Sequence, residues 1–271
     1  LFDTDHTLNY KKAIIASIEA SKIIMDFYDK GFKSNIKSDG SPVTEADLAA
    51  SKIISEILLD TDIPILGEET EHQSFTVRKN WILNWCVDPL DGTKEYIKRN
   101  GEFAVNIALI EKNQPIFGVI AWPAEKKVLF GGKTIGVYIT EFDNLNNKDT
   151  WVKLSAKDSV NNPLVMTISH SVHSGASKEY IDELKNDFPN IDFIKKGSAL
   201  KFFDLAQGIA DIYPRFAPTM EWDIAAGQAI LEALGGTICD LETGNSLRYN
   251  KENLLNPYFI ARTNPLVKHI E

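Results

Sequence analysis

The 271-residue chain has only two cysteines, Cys86 and Cys239. Two thiols in a chain this long make no disulfide framework, so packing must hold the core and both thiols are expected to be reduced. No apolar run approaches the ~20 residues of a membrane-spanning helix, and no charged start leads into an apolar signal segment. The expected location is the cytoplasm, a reading that leaves room for peripheral membrane association. The chain opens at Leu1, not Met, so the natural start is expected to be missing. Positive charge is also scarce: 29 Lys and Arg stand against 38 Asp and Glu, a formal charge of −9. Such a surface repels nucleic-acid polymers. A small anion is not excluded, because it needs only a few local cations. Internal repeats and low-complexity tracts are lacking, and the 44% hydrophobic and 25% charged composition is that of a globular protein.

Apolar periodicity supplies the elements. Ala13, Ile14, Ile18, Ile24 and Met25 predict a helix from about Asn9 to Asp29, and a second begins near Thr44. Short strands are expected at Ile63–Leu66 and Trp81–Val87, the latter cut off by Asp88-Pro89. Phe103–Glu111 and Ile116–Trp122 read as a hairpin. A polar stretch, Asp143–Asp149, suggests a boundary between a lobe of about residues 1–150 and one of about 151–271. Beyond it come a strand at Leu164–Ser169 and helices at Lys178–Asp187, Ala199–Gln207 and Asp223–Leu234, the last closed by Gly235-Gly236. Helices and strands mixed throughout predict a layered α/β architecture.

Acidic residues cluster after apolar segments, where ligands of α/β sheets bind. Glu68 and Glu69 follow the first short strand. Asp88 and Asp91 follow the second, in Asp88-Pro89-Leu90-Asp91-Gly92-Thr93, and Asp223 follows Glu221-Trp222. Convergent carboxylates cannot all stay ionised without a counter-charge. Oxygen donors of this kind suit Mg²⁺ or Mn²⁺ rather than zinc, and two such ions suit transfer of a phosphoryl group to water. Each piece also has a plain structural reading: Asp223 as a helix cap, Thr44-Glu45-Ala46-Asp47 as a capping box, Asp88 to Thr93 as a turn. Their occurrence together favours a metal site.

The segments Ser41 to Asp47 (SPVTEAD), Gly67-Glu68-Glu69, Val87 to Tyr96 (VDPLDGTKEY), Gly197 to Phe202 (GSALKF), Ala210 to Phe216 (ADIYPRF) and Glu221 to Gly227 (EWDIAAG) resemble, in this order, the inositol monophosphatase superfamily, and within it the bisphosphate nucleotidase branch. The resemblance implies an αβαβα sandwich, Mg²⁺ dependence with two or three ions, Mn²⁺ as a substitute, and inhibition by lithium. It implies metal ligation by Glu68, Asp88, the Leu90 carbonyl, Asp91 and Asp223, with Asp47 and Thr93 orienting or deprotonating the attacking water. Gly92 and Thr93 would face the scissile phosphate. Ser198, Lys201 and Arg215 would contact a small bisphosphorylated nucleotide such as 3′-phosphoadenosine 5′-phosphate or its phosphosulfate form, alongside Glu68, Leu90, Asp91 and Asp223. An inositol monophosphatase and a non-catalytic nucleotide or metal sensor are the competing expectations. Oligomeric state is not legible.

One segment departs from the pattern. Where the superfamily usually reads Ser-Arg-Ser-His, this chain has Ser169-His170-Ser171-Val172, with His173 one place later. A role in substrate contact is open for both histidines. Asp3-Thr4-Asp5-His6-Thr7-Leu8 resembles the nucleophile motif of haloacid dehalogenase phosphatases, but that motif needs a buried strand before it, and only Leu1 and Phe2 are there.

Overall fold

A computed structural model describes residues 6–38, 40–170 and 175–266. The Asp3-Thr4-Asp5 run and His173 lie outside them. In chain order the elements are α1 (Thr7–Lys30), β1 (Ser34–Ile36), β2 (Pro42–Thr44), α2 (Glu45–Leu59), β3 (Ile65–Gly67), α3 (Phe75–Arg78), β4 (Leu83–Asp91), α4 (Thr93–Ile97), β5 (Ala104–Glu111), β6 (Gln114–Trp122), β7 (Lys127–Gly132), β8 (Gly136–Glu141) and β9 (Val152–Leu154). They are followed by β10 (Leu164–Ile168), α5 (Gly175–Leu184), β11 (Ile191–Lys195), α6 (Lys201–Ala206), β12 (Ile212–Arg215), α7 (Glu221–Ala233), β13 (Thr237–Asp240) and β14 (Phe259–Arg262).

Two large sheets form the frame. One has seven strands in the order β3-β4-β5-β6-β7-β8-β9, parallel only at β3–β4. The other has five, in the order β11-β10-β12-β14-β13, parallel across its first three and antiparallel beyond. The chain passes from one sheet to the other between Leu154 and Leu164.

The two-residue alternation of the strands sorts the side chains into layers. Trp85, Val87, Val105, Ile107 and Leu109 face a core shared with Ile14, Ile24, Ala50 and Ile54 of α1 and α2. Cys86, Ala104, Ala108 and Ile110 face the opposite way, into a core shared with Phe202 and Phe203 of α6 and with Ile224, Ala225 and Ile230 of α7. The same core reaches Ile238 and Phe259 of the second sheet. Leu184 of α5 packs with Met166, Ile212 and Ile260 on that sheet's outer side. The layers therefore run α1/α2, sheet, α6/α7, sheet, α5: the expected αβαβα sandwich. Gly118 sets one spacing, since a Cβ there would lie 2.2 Å from the Ala226 carbonyl oxygen; its absence lets α7 lie directly on β6.

Three local expectations change. Pro89 does not end its strand, because β4 runs through Asp91 with a register shift between Asp88 and Asp91. Proline is tolerated in a strand at such an irregularity, where no ladder donor is needed. The helix expected from Asp223 starts two residues earlier, at Glu221. The helix expected over Ala199–Gln207 is a short 3₁₀ turn, Ser198–Leu200, running into α6.

Candidate active site

The irregularity in β4 builds the site. In a regular strand Asp88 and Asp91, three residues apart, would point to opposite faces. Here Asp88 pairs with Asn106 and Asp91 with Ala104, so three steps along β4 match two along β5. The extra residue re-aims Asp91 onto the face of Asp88. That face is the one turned toward α7, and Asp223 comes from the first turn of α7. One oxygen from each of Asp88, Asp91 and Asp223 lies within 4.8 Å of the others.

Each carboxylate is also tied to the fold through one of its oxygens. Asp88 Oδ1 accepts from Leu90 N–H at 3.0 Å. Asp91 Oδ2 accepts from Ala199 N–H at 2.5 Å and Asn106 Nδ2 at 3.2 Å. Asp223 Oδ2 accepts from Met220 N–H at 2.8 Å. The capping reading of Asp223 is thus correct in part: it takes part in the capping box of α7 and also belongs to the acidic centre.

Electrostatics favour a cation there over bare charge. Burial, then the charges of Glu68, Asp91 and Asp223, push the Asp88 carboxyl well above the usual range. Burial and then Asp91 push Asp223 to about 8. Burial lifts Asp91 to about 6, against the pull of Lys201. Mutual repulsion among half-desolvated carboxylates is relieved by hard divalent ions, and the spare oxygens supply a donor set that fits them.

Glu68 is set beside Asp88 by its backbone N–H, which donates to the Val87 carbonyl at 3.1 Å. Its side chain turns to Lys37, whose Nζ donates to Glu68 Oε1 at 2.7 Å and also to Glu69 Oε1. Burial pulls the Lys37 pKa down, but hydrogen bonds and attraction from Glu68 and Glu69 outweigh it and raise the net value. Lys37 was missed in the sequence reading. Its only signal is a lone cation in the polar loop before Ser41. Asn106 was missed too. Its signal is one amide in an otherwise apolar strand, and its buried Oδ1 has no partner among the described residues.

Asp47 and Thr93 meet as expected. Thr44 caps α2 by accepting from Ala46 and Asp47 N–H, while Asp47 Oδ2 accepts from Thr44 N–H at 2.8 Å and its hydroxyl at 2.5 Å. Asp47 Oδ1 is left to accept from Thr93 Oγ1 at 3.0 Å. Burial raises the Asp47 carboxyl and the Thr44 and Thr93 bonds oppose it. Thr93 also lies 3.3 Å from the Leu90 carbonyl. Gly92 turns the chain between these groups at φ +92°, and a Cβ there would crowd Glu102 O at 3.1 Å and Ser198 Cβ at 3.2 Å.

A cavity of about 350 Å³ opens from this centre. Its lining includes Asp91, Gly92 and Asp223 together with Lys94, Glu95, Lys98, His170, Ser198, Lys201 and Arg215. Lys201 is buried, its Nζ donating to Ser198 O at 2.6 Å and Lys196 O at 3.1 Å, with the Tyr213 ring centroid 5.1 Å away. Burial brings it down to about 8, against Asp91. Arg215 Nη1 donates to Ser169 Oγ at 2.6 Å, and its buried Nε has no partner among the described residues.

Fold and acidic centre together place the chain among the layered, metal-dependent phosphatases. It belongs to the inositol monophosphatase family, whose model matches residues 6–269. Its relatives include the 3′(2′),5′-bisphosphate nucleotidases CysQ of Salmonella typhimurium, 41% identical over 246 residues covering 89% of this chain and 94% of that one, and of Haemophilus influenzae, 34% identical over 260 residues covering 94% and 92%. The crystal structure of CysQ from Bacteroides thetaiotaomicron superposes with a TM-score of 0.85 at 38% identity, covering 96% of this chain and 98% of that one. Among the described residues no helix is long and apolar enough to cross a membrane.

Proposed function

We propose that this chain is a Mg²⁺-dependent 3′(2′),5′-bisphosphate nucleotidase that releases the 3′-phosphate of 3′-phosphoadenosine 5′-phosphate, with the 5′-phosphosulfate form as a second substrate. One observation carries the reading: a single cavity is lined both by carboxylates of the acidic centre and by Lys94, Lys98, Lys201 and Arg215. The acidic end suits ions that take up one phosphate. The cationic wall has no evident use for a substrate with one phosphate and suits a second. The relatives named CysQ support the same choice.

Glu68, Asp88, the Leu90 carbonyl, Asp91 and Asp223 would hold two or three Mg²⁺, with Mn²⁺ as a substitute. The bound ions supply Lewis-acid stabilisation of the phosphoryl oxygens and acidify water. Thr93, its hydroxyl hydrogen directed to Asp47, offers a lone pair that orients the attacking water and accepts its hydrogen bond. The water oxygen forms a bond to phosphorus as the bond to the ribose 3′-oxygen breaks. The water's proton leaves toward Thr93 and Asp47, and the ribose oxygen takes one from solvent. Gly92 keeps the backbone low beside the transferred group. Ser198, Lys201 and Arg215 hold the nucleotide's other phosphate and sugar.

In this reading the chain is one domain of two lobes, about 1–150 and 151–271. The first provides the water-activating pair and most metal ligands, the second provides Asp223 and the nucleotide wall. The free thiols of Cys86 and Cys239 suit a cytoplasmic setting. The test is phosphate release from 3′-phosphoadenosine 5′-phosphate and from inositol 1-phosphate, each with Mg²⁺ and with chelator. Preference for the nucleotide, lost in chelator, is expected. Preference for the inositol ester overturns the substrate, and tight nucleotide binding without turnover overturns the enzyme.

A further inference from the structure

Asn106 is the one polar side chain of β5 before Glu111 ends the strand, and it is 1% exposed. Asparagine forms strands poorly, and burying its amide costs free energy. Packing alone would be better served by an apolar residue, as at Ala104 and Ala108 on the same face.

Its place in the ladder shows what the amide reaches. The Asn106 backbone pairs with Asp88, while its Nδ2 donates to Asp91 Oδ2 at 3.2 Å. One residue therefore spans the irregularity that brings Asp91 onto the Asp88 face. An ionised carboxylate only accepts, so this bond fixes which way the amide lies, with Nδ2 toward Asp91. The other end, Oδ1, is buried without a partner among the described residues. An acceptor buried in that way lowers stability, and a fold tolerates such a breach of its own rules chiefly at functional sites.

A second donor meets the same oxygen. Ala199 N–H, from the 3₁₀ turn before α6, donates to Asp91 Oδ2 at 2.5 Å. Donors from two elements thus restrain rotation of the carboxylate. Burial raises the Asp91 carboxyl, and the Lys201 charge and the Ala199 and Asn106 hydrogen bonds oppose it. Both bonds favour the ionised form, which is the form that ligates a cation.

We propose that Asn106 is a positioning residue of the metal site, holding the Asp91 carboxylate in the orientation that grips the cation. This rests on the metal-binding reading above. The amide touches neither substrate nor ion; it acts through Asp91, and the buried Oδ1 is the stability cost of having it there.

The test is titration with Mn²⁺, the free ion read by electron paramagnetic resonance, together with melting of the same proteins in chelator. Asn106→Leu puts methyl groups on the same branched frame in place of both amide atoms. Its Kd for Mn²⁺ is expected to rise about 10–100-fold, as for other lost partners of ligating carboxylates. Its Tm in chelator should stay level or rise, because the unpartnered acceptor is gone. Asn106→Ala, small enough to sit between Ala104 and Ala108 without crowding, should lose Mn²⁺ affinity by a similar factor. An unchanged Kd in either variant overturns the inference and leaves the metal reading intact; a lower Tm in chelator with Kd unchanged is what a purely structural amide gives. A wild-type protein that binds no Mn²⁺ sinks the metal reading and this inference with it.

Discussion

Thr93 Oγ1 donates to Asp47 Oδ1 across 3.0 Å, joining residues 46 apart in the chain. The same carboxylate completes the capping box of α2 through its other oxygen. A helix start is thereby turned into an anchor for the Thr93 hydroxyl. The capping reading of Thr44-Glu45-Ala46-Asp47 holds on one oxygen of Asp47, and the other oxygen is left for the Thr93 hydroxyl.

Separating the two duties gives the first prediction. Asp47→Asn keeps an oxygen for the cap but removes the charge that draws the Thr93 proton. Its kcat is expected to fall by ~10²–10⁴, the usual worth of acid–base assistance, with KM little changed. Thr93→Val should lose a similar factor and Thr93→Ser far less. The double variant should be no worse than Asp47→Asn alone, because the two act as a unit. Kinetics on all four proteins check this.

The second prediction concerns metal-free stability. Asp91 and Asp223 are lifted to about 6 and about 8 in the folded protein, above the ~3.9 of an unfolded chain. A carboxyl raised in this way contributes stability that is full below its unfolded pKa and is lost as pH rises through the folded one. In chelator, Tm should therefore fall between pH 5.5 and pH 8, by at least ~3 °C, about what 1 kcal/mol is worth in a chain of this size. Lys201, lowered to about 8, acts in the opposite sense, but only above that window. Saturating Mg²⁺ should abolish the fall and raise Tm at pH 8. Calorimetry at the two pH values, with and without Mg²⁺, reads both effects.

Lys37 makes a third case. It is the counter-ion that Glu68 and Glu69 share. Lys37→Met leaves two neighbouring carboxylates without it, so the chelated protein should melt lower than wild type. The rise in Tm on adding Mg²⁺ should be larger than in wild type, because the ion no longer competes with an ammonium group for Glu68. Paired melting curves in chelator and in Mg²⁺ measure the two differences. An unchanged increment contradicts the competition.

The fourth prediction separates binding from chemistry. Lys201→Met fills a similar volume without the charge. KM for the bisphosphate should rise ~10–100-fold, as for a lost hydrogen bond to a charged group, while kcat changes only a few-fold. Equal losses on adenosine 3′-monophosphate contradict its place at the second phosphate.

Much of the fold was legible because apolar periodicity is local. The α1 and α2 helices, the β5–β6 hairpin and the layered class all follow from it. The acidic residues were legible as types in the right places. Their convergence was expected across a turn, but the structure achieves it by an irregularity within β4, because a proline in Asp88-Pro89 reads locally as a strand end. The start of α7 was misplaced for a similar reason: Glu221 carries no apolar signal. It is buried because its carboxylate accepts from Asn250 and Lys251 N–H, partners that only the tertiary fold brings near. Lys37 and Asn106 escaped notice because each acts through a partner distant in sequence.

The central claim is that the spare oxygens of Asp88, Asp91 and Asp223 hold hard divalent cations. Anomalous scattering from a crystal soaked in Mn²⁺ tests it most directly. The account predicts at least one strong peak among those three carboxylates, lost in Asp88→Asn. A fully soaked crystal with no peak there, the carboxylates still gathered, contradicts it.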